Sequence, residues 1–245
     1  MMIINGVKKK KAPNDTNWVF ESLPQNKVMA KPFCSLKDKF PAVYCQTAGD
    51  CTANAVLACD AYYYHSPTTP WIPSTIFTYY NSRKMDHAGF KEDDGSTVET
   101  ALNCVRKFGA CNSKIWPNDK PFNEKPSEEA YKNGLKGHEV TNYYRVKSLN
   151  QVKKALVSGY PIACAVAWCF KKYDENFIMN KPTKKEVNDC MSGHAIVIVG
   201  YDDRTGLIEF RNSWGTGWAN NGYAYMTYET FERVIWYSDT YAVVH

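Results

Sequence analysis

Apolar residues follow two regimes along the chain, helical spacing through the first half and short β-branched runs through the second. The opening thirty residues are polar apart from Trp18, Val19 and Phe20, and read as an extension, 1–30, whose expected form is a solvated tail. The first strong element follows Gly49. Asp50 has the chemistry of an N-cap, and CTANAVLACDAYYY, residues 51–64, carries Ala, Val, Leu and aromatic residues at helical spacing before Ser66-Pro67 stops it. Further helices are predicted over 74–83, over 96–108 with Gly109 as terminator, and over 152–158 closed by Gly159. From there the runs at 161–168, 195–199, 207–211 and 223–228 read as strands, and 181–188 as a polar loop. Helices followed by strands predict an α+β protein with two unlike lobes.

Composition narrows the function more than the fold. The 245 residues suffice for one large domain or two packed lobes, and 44% apolar with 22% charged residues is ordinary for a globular chain. The net charge of +5 is modest and calls for no nucleic-acid partner, and the basic run at 8–11 reads as solvated. No stretch reaches the roughly 18 to 20 apolar residues that span a bilayer. The first residues also lack the apolar core of a secretory signal, which predicts a cytoplasmic chain or one already relieved of its targeting segment.

Nine cysteines (34, 45, 51, 59, 104, 111, 164, 169, 190) are an odd number with no C-x-x-C pair, so a structural zinc site is not expected and reduced thiols are. One of them stands apart. Cys51 opens the first helix, where the helix dipole lowers a thiol pKa, whereas Cys59 on the same helix reads as a small buried hydrophobe. His194, in Ser192-Gly193-His194-Ala195, leads into a buried strand and sits at its mouth. A turn near residue 204 folds the chain back, which brings Asn212 within about two residues of His194 at the same end of one hairpin.

These residues, in this order, resemble the papain family of cysteine proteases, which includes the cathepsins. Cys51 and His194 stand 143 positions apart, inside the roughly 130 to 150 of that family. Asn212-Ser213-Trp214-Gly215-Thr216-Gly217-Trp218, followed by Asn221-Gly222-Tyr223, is close to the family's hallmark around its asparagine. Pro41-Ala42-Val43-Tyr44-Cys45-Gln46 looks like the approach to its oxyanion-hole glutamine, and Cys51-Thr52-Ala53-Asn54-Ala55 is similar to a branch without the long propeptide. The resemblance covers roughly residues 32 to 240.

The resemblance implies a papain-like two-lobe fold over 31–245, with a helical lobe mainly at 46–145 and an antiparallel, barrel-like β lobe at 146–245 plus 31–45. It implies a Cys51 thiolate paired with a His194 imidazolium, Asn212 holding the ring, and Gln46 with the Cys51 N–H holding the oxyanion. Trp214 would cover the His–Asn contact. Asp94-Gly95-Ser96 resembles the wall that pairs with substrate backbone, and Gly193 and Trp214 are expected to bind substrate with it. No metal and no organic cofactor is implied; the expected partner is a peptide or protein substrate, not nucleic acid or membrane, and the chain is expected to be a monomer.

Four departures from the family pattern bear on the rate: the Gln46-to-Cys51 spacing is one residue short, Asp50 puts a carboxylate beside the nucleophile, Thr52 replaces an aromatic, and Ala48 replaces a disulfide cysteine. A peptide-binding pseudoprotease, an amidase and an aminopeptidase remain as other readings of the same triad. A cleft-lying, regulatory extension remains as the other reading of residues 1–30.

Overall fold

Helix α1 (Cys51–Tyr64) is apolar on every side, and a helix of that kind must be surrounded. Every residue from Cys51 to Tyr62 is buried. The computed structural model describes residues 6–8, 20, 31–66, 68, 71–136 and 142–245, and α1 runs through the middle of them. On one side it meets α2 (Thr75–Met85) and α3 (Val98–Phe108); on the other it packs on strands β3 (Ile162–Ala167) and β4 (Gly193–Asp202). The short α4 (Glu128–Gly134) completes the helical half.

Hydroxyl caps set the helix starts. Ser74 accepts the Phe77 N–H, Thr97 the Thr100 N–H and Ser127 the Ala130 N–H. The third helix therefore begins at Val98 rather than at Ser96, whose backbone is drawn into a different pairing described below. Asp50 occupies the cap position of α1, but its side chain makes no capping hydrogen bond; this corrects the capping role expected for it.

The second half is one antiparallel sheet in the order β2 (Asn142–Arg145), β7 (Ile235–Val244), β3, β4, β5 (Leu207–Arg211), β6 (Tyr223–Thr227), with β1 (Phe33–Ser35) paired to β4. After β1, the sheet resumes at Asn142, ahead of the lobe boundary expected at 146. One apolar cluster lies between the sheet and α1 and α3. A second covers the other face beneath α5 (Leu149–Val157) and α7 (Tyr228–Val234). The segment expected as a polar loop contains α6 (Lys184–Asn188), started by a capping box in which Thr183 and Glu186 satisfy each other's backbone N–H groups.

The amino-terminal extension departs from a solvated tail wherever it is described. Residues 6–8 are paired with the body of the protein, and Phe20 is 1% exposed within the sheet's outer core. Trp18 and Val19 lie outside the described residues. All nine cysteines are free thiols. Among the described residues no helix is long and apolar enough to cross a membrane.

Arg211, at the end of β5, is 1% exposed and ties the chain before the first helix to the sheet. Its guanidinium donates to the carbonyls of Pro41 (2.7 Å) and Ala42 (2.8 Å) and to the Tyr223 hydroxyl (3.0 Å). Replacing it with methionine leaves three acceptors without their donor, the buried Tyr223 hydroxyl among them. Arg211→Met is expected to lower stability by about 3 kcal/mol, read as an earlier urea midpoint with an unchanged slope.

Candidate active site

The β4–β5 hairpin pairs Val197 with Arg211 and Ile198 with Phe210, which sets Asn212 beside His194 at its open end. The His194 ring is fully buried, and its Nε2 lies 2.7 Å from Asn212 Oδ1. The Ser213 N–H also donates to that Asn212 atom, at 2.8 Å, so the atom is the amide oxygen and the ring donates through Nε2–H. Nδ1 is then the basic nitrogen, and it has no hydrogen-bond partner. Trp214 lies over the ring at 4.9 Å between centroids and 31° between planes, while Trp168 meets it edge-on at 4.7 Å. Burial lowers the His194 pKa to about 4, against the hydrogen bond to Asn212, which raises it.

Cys51 is the first residue of α1 and has no exposed surface. The backbone N–H groups of Ala195, the residue after His194, and of Gly6 lie close enough to its sulfur to favour the thiolate, which sets the thiol at the same strand mouth as the ring. Burial foremost, with Asp50 adding to it, pushes the thiol up to about 12, while those N–H groups lower it. With the chain in this arrangement, burial disfavours charge on both the thiol and the imidazole. Asp50 itself is buried, its carboxylate oxygens lack partners at hydrogen-bond distance, and burial raises it to about 6.

Gln46 is fixed at both ends of its amide. Its backbone N–H donates to the Ser213 carbonyl (2.8 Å), its Oε1 accepts from the Ser213 hydroxyl (2.6 Å), and its Nε2 donates to the Ala48 carbonyl (2.9 Å). Ser213 thus joins the glutamine to the asparagine, a role that sequence reasoning missed although the residue stands inside the hallmark string. Trp214 bridges back to Cys45 and covers the histidine.

The wall at 94–96 pairs with the protein's own amino-terminal segment. Ser96 donates its N–H to the Gly6 carbonyl (2.9 Å) and accepts the Lys8 N–H (2.9 Å), and the Val7 N–H donates to the Gly193 carbonyl (3.3 Å). Lys8 pairs with the Asp94 carboxylate at 2.9 Å. Gly95 sits at φ +81°, and a Cβ there would fall on the Gly6 carbonyl. Asp94, Gly95, Ser96 and Gly193 are therefore brought together around residues 6–8. No sequence pattern marked Gly-Val-Lys as an occupant, since its fit comes from backbone pairing.

A family model described as papain family cysteine protease matches residues 84–242. An uncharacterized peptidase C1-like protein of Acanthamoeba polyphaga mimivirus is 32% identical over 75% of this chain and 63% of its own length. Cathepsin Z of Onchocerca volvulus is 33% identical over 55% of this chain and 42% of its own. The chain thus matches less than two thirds of the length of either relative. Among solved structures, xylellain, a cysteine protease from Xylella fastidiosa, superposes with a TM-score of 0.82 at 28% identity, covering 98% of this chain and 95% of that one. By the span of the family match and by its fold, the chain belongs to the papain family of cysteine proteases.

Proposed function

We propose that the protein is a cysteine peptidase in which Cys51 attacks a peptide carbonyl, with His194 as acid and base, Asn212 orienting the ring, and residues 6–8 holding the full chain latent. The observation that carries this reading is the hydrogen-bond polarity at His194. Nε2–H is committed to Asn212, so Nδ1 is the nitrogen left to take the Cys51 proton. The thiolate adds to the carbonyl, and the imidazolium gives its proton to the departing amine. Water, activated by the same ring, then releases the acyl group. The Gln46 amide and the Cys51 N–H act on the oxyanion, each worth about 3 kcal/mol.

The backbone groups of Ser96 and the Gly193 carbonyl supply extended pairing for a peptide, since they already make it with residues 6–8. The Gly6 carbonyl accepts the Ser96 N–H, so it is held by the wall rather than by the oxyanion donors. This segment would occupy the groove without being cut. Burial that disfavours charge on the thiol and the imidazole suits that latent state. Departure of the segment re-admits water, relieves the burial that raises the thiol, and favours the thiolate.

A library of quenched fluorescent peptides, incubated under reducing conditions, is expected to be cut internally at a rate that Cys51→Ala abolishes. A library left intact by both the parent and the Gly6→Ala variant discussed below would contradict the peptidase reading.

A further inference from the structure

A second set of contacts, outside the triad, joins the nucleophile's loop to the substrate-facing wall. The Asp93 carboxylate accepts the Gly49 N–H at 2.8 Å through one oxygen and the Tyr79 hydroxyl at 2.5 Å through the other. The fully buried Tyr79 oxygen in turn accepts the Gly95 N–H at 2.9 Å. Because the hydroxyl spends its proton on Asp93, its lone pairs are free to face Gly95. Gly49 stands two residues before Cys51, and a Cβ on it would lie 2.7 Å from Asp93 Oδ1, so only a glycine lets the carboxylate come this close.

Arg83, 1% exposed, fixes the other side of the same turn. It donates to the carbonyls of Gly89, Glu92 and Gly95 and to the Asp94 carboxylate. The wall therefore has a rigid anchor on α2, and Asp93 links that anchor to the loop. Ser213 holds the loop at Gln46 and the Asn118 carbonyl holds it at Thr47, while at Gly49, nearest to Cys51, it is Asp93 that holds it. No disulfide joins these segments, since position 48 is alanine and all nine cysteines are free.

We infer that Asp93, acting with Tyr79, is a positioning residue that sets the nucleophile loop and the substrate-binding wall in register. This rests on the cysteine-peptidase reading above. Asp93 touches neither the triad nor the reacting atoms. It holds the 49–51 backbone, and with it the Cys51 N–H, at a fixed separation from the Gly95–Ser96 backbone. A peptide gripped by the wall then presents its carbonyl to the oxyanion donors, and displacement by about 1 Å costs up to about a hundredfold in rate.

Asp93→Ala, Asp93→Asn, Tyr79→Phe and the Asp93→Ala/Tyr79→Phe pair, all in the full chain carrying Gly6→Ala, test this. Three readouts serve: kcat and KM on a peptide substrate, the rate of Cys51 alkylation by iodoacetamide, and thermal unfolding. Asp93→Ala is expected to lower kcat/KM about 10- to 100-fold with both kcat and KM affected. Tyr79→Phe is expected to act mainly on KM, because Gly49 keeps its acceptor. Asp93→Asn, which retains an acceptor for Gly49, is expected to fall between parent and Asp93→Ala.

The pair should be no worse than Asp93→Ala alone, since the two side chains act as one unit. Alkylation, which does not use the wall, should stay within about threefold of the parent. Folded Asp93→Ala with unchanged kcat/KM, or alkylation that falls in step with hydrolysis, would overturn the inference. Failure of the peptidase reading shows up separately, as no hydrolysis by Gly6→Ala with Asp93 and Tyr79 intact, or as hydrolysis that Cys51→Ala does not reduce.

Discussion

Gly6→Ala is expected to raise peptide hydrolysis by the full chain about tenfold or more, with Cys51, His194 and Asn212 themselves unchanged. A Cβ built on Gly6 would lie 1.8 Å from the Gly49 carbonyl oxygen and 2.7 Å from the Gly49 Cα. Both are backbone atoms of the loop before the nucleophile, so no side chain can swing away to make room. The segment must leave, and its three backbone hydrogen bonds to Ser96 and Gly193 go with it. Groove and thiol are then open to solvent, burial no longer raises the thiol, and the inflection in a pH profile of alkylation should move down relative to the parent.

Lys8→Glu is the useful contrast. It breaks an ion pair to Asp94, whose side chain is 52% exposed. An exposed pair contributes at most about 1 kcal/mol, so this change should activate no more than about fivefold. Backbone fit, not the surface charge, is what holds the segment. Equal rates for Gly6→Ala and the parent would mean that residues 6–8 do not limit access.

On the Gly6→Ala background, His194→Ala is expected to lower kcat/KM about 10²- to 10⁴-fold. The proton of Cys51 then has no acceptor, because the other groups around the sulfur are backbone N–H donors and the raised Asp50 carboxyl. Asn212→Ala should cost less, since it removes the partner that fixes the ring but leaves Nδ1 in place. Trp168 and Trp214 continue to restrain the imidazole from either side. Steady-state kinetics with a single peptide substrate separates the two. An Asn212→Ala loss as large as that of His194→Ala would mean that ring orientation, rather than the proton acceptor, dominates.

Much of the site was legible because it is carried by local strings. The helix at 51–64 was readable from its dense apolar face and its stop at Ser66-Pro67, and its bounds match. The β4–β5 hairpin followed from two β-branched runs around a turn, and it delivers Asn212 to His194 as pairing rules require. Other elements were hidden for physical reasons. The capping box at Thr183 and Glu186 lies in a run so polar that its hydropathy reads as loop. Strands β2 and β7 pair with each other across almost a hundred residues of sequence separation, and neither announces its partner.

The groove occupant could not be read at all. Gly6, Val7 and Lys8 bind through their backbones, and backbone pairing leaves almost no mark on residue type. Asp50 was misread in a related way. Its residue type favours a cap, but the tertiary packing of the loop buries the carboxyl, and the helix start is left without its bond.

The central claim, that Cys51 is a nucleophile activated by His194 in a groove that the chain itself covers, is tested most directly by site-resolved alkylation. The parent, Gly6→Ala, and Gly6→Ala/His194→Ala are treated with iodoacetamide near neutral pH, and adducts at all nine cysteines are followed by peptide mass spectrometry. The account predicts slow labelling of Cys51 in the parent and fast, selective labelling in Gly6→Ala, with the selectivity lost when His194 is removed. Labelling of Cys51 that is equally fast with and without His194, or no faster than at the other buried cysteines in Gly6→Ala, would contradict it.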